Sequence, residues 1–161
     1  MDYGIIIDYL QSALLPILIF LALLFYTMIR GRRSITSLIL GLYFALLITL
    51  KFPYHEQVDL WFGRFISANT TAMIIFALFT AIASVLMDRL LFYRIDESAF
   101  QAFPKKIILA LLGTILIMAF SFHVLPVTDF INPGAPASKL FGPQEFFFWW
   151  LIVPLVGLFF L

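Results

Sequence analysis

Four stretches of the chain, residues 5–29, 34–50, 70–87 and 107–122, are apolar almost without interruption. At 1.5 Å of rise per residue they make helices of about 24–37 Å, against a bilayer hydrocarbon core of about 30 Å. Every Asp, Glu, Lys and Arg falls outside these stretches, except Asp8 just inside the first. A backbone in lipid must satisfy its own N–H and C=O groups, so apolar runs separated by polar breaks read as helices. The reading is an all-α integral membrane helical bundle, a single membrane domain over residues 1–161 with four transmembrane helices.

Composition excludes the alternatives. Apolar residues make up 63% and charged residues 12% of the 161 residues, where a soluble domain carries roughly 45–50% and 25%. A water-soluble fold of this size exposes too much surface to hide that much hydrocarbon. A net charge of +1 argues against nucleic acid, which needs clustered Lys and Arg to displace counterions. Without Cys there is no thiolate nucleophile and no cysteine-based metal or iron–sulfur site. No nucleotide fingerprint, nucleophile elbow or paired-carboxylate motif occurs, so neither an enzyme nor a cofactor is expected.

Orientation follows from the basic residues. Arg30, Arg32 and Arg33 fill the first connection, and Arg89, Arg94, Lys105 and Lys106 flank the third; Lys51, Arg64 and Lys139 fall on the other side. Positively charged loops stay in the cytoplasm, which predicts a plasma (inner) membrane protein with an extracytoplasmic N-terminus. The first segment carries its charges after the apolar stretch, unlike a cleaved signal peptide.

The ends and connections are less regular. Asn69 and Thr70 suit the N-cap of the third helix, and Pro16 should kink the first. Val58, Trp61, Phe62, Phe65 and Ile66 recur at helical spacing, predicting a short helix on the outer interface. Residues 125–144, with Pro126, Pro133, Pro136, Pro143, Gly134 and Gly142, read as an irregular loop. The apolar tail 146–161 is about 24 Å long as a helix and contains Pro154, so it is either half-embedded or a fifth spanning helix.

Helices in lipid associate where small residues let backbones approach. Ser37, Gly41, Ala45 and Thr49 form such a stripe at strict i, i+4 spacing on the second helix. Ala77 and Ala81, continued by Ser84 and Asp88, give the third a shorter one. Both are read as helix-packing faces, with the second helix central to the bundle.

The opening Asp2-Tyr3-Gly4-Ile5-Ile6-Ile7, the first helix ending in Arg30-Gly31-Arg32-Arg33-Ser34 and the Ser37/Gly41/Ala45 stripe resemble the bacterial colicin V production (CvpA-like) membrane proteins. The likeness covers roughly residues 2–122. Only Gly113 stands where the family has a Gly-rich start to the fourth helix with a nearby Arg-Gly pair. The Pro-rich loop and aromatic tail also depart from it. The resemblance implies a non-enzymatic inner-membrane protein tied to toxin production, export and envelope maintenance.

One further pattern invites a chemical reading. His55-Glu56-Gln57-Val58-Asp59 is similar to the H-E-x-x-H helix of zinc proteases, and His123 is predicted on the same side. The wet face of the interfacial helix accounts for the same residues, so no metal is expected. The function read from sequence is an accessory or structural factor that packs against membrane lipids and against copies of itself or partner membrane proteins. The alternatives are a small oligomeric channel or transport component, and an accessory subunit of a larger membrane complex.

Overall fold

The computed structural model describes residues 3–53, 57–58, 67–90, 102–123 and 136–161. Helix accounts for 94% of them, with no strand among them. The helices are α1 (Tyr3–Arg30), α2 (Arg32–Lys51), α3 (Ala68–Leu90), α4 (Ala102–His123), α5 (Pro136–Phe141) and α6 (Gln144–Phe160). The first four are long and apolar enough to cross a membrane. The interfacial helix expected around Trp61, together with His55, Glu56, Asp59, Arg64 and Arg94, falls outside the described residues.

α1 and α2 are separated by Gly31 alone. Its backbone lies at φ 86°, ψ 175°, a region essentially restricted to glycine, and its N–H donates to the Thr27 carbonyl at 2.9 Å. The chain thereby closes one helix and opens the next within a single residue. α1 continues as helix through Pro16. α3 begins at Ala68, ahead of the expected caps, because Ser67 serves instead. Its Oγ accepts from the Thr70 N–H at 3.4 Å and lies 2.9 Å from Thr70 Oγ1.

α2 packs on α1, α3 and α4, while α4, the most enclosed of the four spans, packs on α1, α2, α5 and α6. The core joins Leu23 of α1, Ile35, Ile39, Leu42 and Leu46 of α2, Phe76 of α3, and Leu109, Leu116 and Phe120 of α4. Phe120 is fully buried and meets Phe76 and Tyr43 edge-on, at ring-centroid distances of 5.8 and 6.3 Å, the geometry that aromatic quadrupoles favour.

Of the Pro-rich stretch 125–144, residues 136–144 are described, and they include a helix where an irregular loop is expected. Pro136 opens the short helix α5, where a proline's missing N–H has no intrahelical partner to lose. Phe141 of α5 then packs on Trp150 of α6 and Phe122 of α4. α6 runs antiparallel along α4. Phe147 meets His123 at 4.4 Å, Gly157 comes over Leu112, and at the far end Arg32 donates to the Leu161 carbonyl. The apolar tail thus reaches both ends of the bundle as one helix, continuous through the buried Pro154.

Large apolar side chains cover the outside. Leu18, Phe25 and Ile29 of α1, Leu78 and Val85 of α3, and Phe159 of α6 are all more than half exposed. In water such a surface would drive aggregation; in hydrocarbon it is the solvated side. The chain is a membrane-embedded protein.

Candidate functional site

The stripe on α2 lies against α3. Ser37 and Ala45 are buried, as is Gly41 between them, and Thr49 is half-buried near the end of the helix. The closest approach is at Gly41. A Cβ built there would stand 2.5 Å from Ser84 Oγ, 2.8 Å from Ser84 N and 2.9 Å from Ser84 Cα. The two backbones touch, which only a residue without a side chain permits.

Ala77 and Ala81 are placed differently. Both are exposed and line an open groove of about 390 Å³ in which Leu38 and Leu42 of α2 meet Phe76 and Thr80 of α3 and Ile117 and Phe120 of α4. α3 and α4 both pack on α2 and leave this groove between them. Ser84 and Asp88 meet α2, so the stripe splits: Ser84 lies on Gly41 and Asp88 on Arg33 and Ser37, while its alanines face the groove.

Five hydroxyls within the spans turn back onto their own helices, whereas Tyr43 of α2 donates across to the Leu151 carbonyl of α6. Thr27 donates to Leu23, Thr80 to Phe76, Ser84 to Thr80, Thr114 to Ala110 and Ser121 to Ile117, over 2.6–2.9 Å. Each satisfies its donor locally, so these groups offer a ligand no free O–H.

Charge collects at one end. Arg33 Nε lies 3.2 Å from Asp88 Oδ1, its Nη2 donates to the Asp88 carbonyl, and Ser37 Oγ donates to Asp88 Oδ1 at 3.4 Å. This cluster ties the start of α2 to the end of α3. Arg30 and Arg89 are exposed, and Lys105 and Lys106 are half-buried in the first turn of α4. Among the described residues no three His, Cys, Asp or Glu side chains come together as a metal group. His123 lies against Phe147, its Nε2 buried without a hydrogen bond.

The groove is the feature that sequence reasoning missed. Its only signal is that Met73, Ala77, Thr80 and Ala81 share a helix face with small side chains at its centre. No protein-family model, curated protein or solved structure matches the chain.

Proposed function

We propose that this chain is a non-enzymatic multipass protein of the plasma membrane, an accessory or structural factor that works by presenting helix faces to partner membrane proteins or to copies of itself. The resemblance to the colicin V production proteins supports a role in export or envelope maintenance. The observation that carries the reading is that five intramembrane hydroxyls close onto their own helices, and Tyr43 onto the α6 backbone, around an apolar core. Such a bundle offers its surroundings shape and apolar surface rather than reactive groups. Basic loops favour the cytoplasm, which puts the Arg30–Arg33 end inside, and α6, packed on α4 from His123 to Leu112 and ending at Arg32, makes a fifth crossing.

The absence of Cys gives a clean test. Single cysteines at the outward positions Leu21, Leu78 and Val153, each carrying a photoreactive maleimide, are irradiated in native membranes. At least one should trap a discrete protein species identifiable by mass spectrometry. Adducts with lipid alone at all three positions would refute the reading. An Arg30→Cys variant should react with a membrane-impermeant maleimide only after permeabilisation; reaction in intact cells would invert the topology.

A further inference from the structure

The short helix α5 sits at a depth where the α3 flank of the bundle presents apolar side chains outward. We propose that α5 pulls down the polar boundary of the leaflet opposite the basic end, so that the bilayer is about 6 Å thinner beside α5 than beside α3.

Two close approaches define a common level. Gly41 of α2 meets Ser84 of α3, and Gly113 of α4 faces Leu23 of α1 and Ile39 of α2. At 1.5 Å per residue, Leu78 of α3 then lies about 12 Å from the Gly113 level, toward the end away from the arginines. Met118 and Phe122 of α4 lie about 8 and 14 Å from it in the same direction, so Leu78 is level with the segment between them. α5 occupies that level. Ala137 and Phe141 join Met118 in one buried cluster, and the Phe141 ring stacks on Phe122 at 6.3 Å.

What the two flanks expose there differs. α3 presents Leu78 and, one turn farther out, Ile74, both more than half exposed. The next charge outward on α2 is Lys51, about 6 Å beyond Leu78. α5 presents the exposed Lys139. Its six residues also leave helix-end N–H and C=O groups with no intrahelical partner, and such backbone does not face hydrocarbon. Trp150 donates its indole N–H to the Leu140 carbonyl at 3.2 Å, and Trp149 beside it is 60% exposed, as suits the membrane–water interface. Apolar surface shorter than the hydrocarbon thins the bilayer around it; α5 imposes this on one flank alone.

The test uses the full chain, which contains no Cys, in dioleoyl phosphatidylcholine vesicles. A nitroxide on Leu140→Cys reports on α5 and one on Leu78→Cys on α3, both at positions more than half exposed; Lys139→Cys replaces Leu140→Cys if that variant loses wild-type helicity. Power saturation with oxygen and with a water-soluble nickel chelate gives the depth of each label. The α5 label should lie in the headgroup region and the Leu78 label about 6 Å deeper, despite their common level in the bundle. Equal depth of the two labels, whether in hydrocarbon or among headgroups, would overturn the proposal, as would an α5 label deeper than that at Leu78.

Discussion

Replacing Gly41 with alanine tests the α2–α3 contact most directly. The new methyl would lie 2.8 and 2.9 Å from the Ser84 backbone N and Cα, where ordinary contacts between such atoms are about 3.5 Å or more. Ser84 Oγ, at 2.5 Å, can rotate away, but the backbone atoms cannot, so the helices must part by roughly half an ångström or more. Overpacking of this kind costs about 1–3 kcal/mol, and the gain from removing a mid-helix glycine offsets about 0.5–1 kcal/mol. The contact wins because backbone meets backbone, leaving a net loss on the order of 1–2 kcal/mol. Gly41→Leu should lose more and disrupt assembly. Reversible unfolding by titrating sodium dodecyl sulfate into mild-detergent micelles, followed by far-UV circular dichroism, measures the shift. Ser84→Ala in the Gly41→Ala background should not restore the midpoint, because the backbone atoms that clash remain. A Gly41→Ala midpoint at or above wild type would show that α2 and α3 do not approach as described.

Three further outcomes follow from the same geometry. Gly31→Ala should destabilise by about 1–3 kcal/mol in the same titration, through backbone strain alone, since nothing lies within 4 Å of the added methyl; an unchanged midpoint would contradict the turn. Asp88→Asn should cost less than about 1 kcal/mol and lose its effect at high salt, because Arg33 and Asp88 are both more than 40% exposed; a salt-independent loss of several times that size would contradict it. Phe120→Ala should cost on the order of 2 kcal/mol, less than the 3–5 typical of soluble cores because lipid removes the transfer part and leaves the cavity. Phe25→Ala, on the lipid side at 68% exposure, should be near neutral, and equal losses at the two sites would undo the assignment of core and lipid faces.

The four long helices were legible in the sequence because a charge inside hydrocarbon is costly, so each span is written as a run without one. Their facing was not. In a soluble helix, apolar and polar sides give the azimuth; here Leu78 toward lipid and Leu42 toward the core are the same residue type. Small residues restore part of the signal, and Ser37 and Gly41 do meet α3, at Asp88 and Ser84. Spacing alone could not say that Ala77 and Ala81 would turn to a groove while Ser84, on the same face, met α2. The first connection was read as the polar break 30–33, yet Arg30, Arg32 and Arg33 are all compatible with helix, and only Gly31 leaves it. The helix at Pro136 was hidden because prolines and glycines mark both loops and helix ends.

The link at Gly31 also limits how α1 and α2 can move. A single residue spans at most about 3.6 Å, while sliding one helix past the other by a full turn needs about 5.4 Å. Such a shift would unwind an end of α1 or α2. Covalent length therefore holds these two spans in vertical alignment independently of their packing, and a change in bilayer thickness must tilt them as a pair.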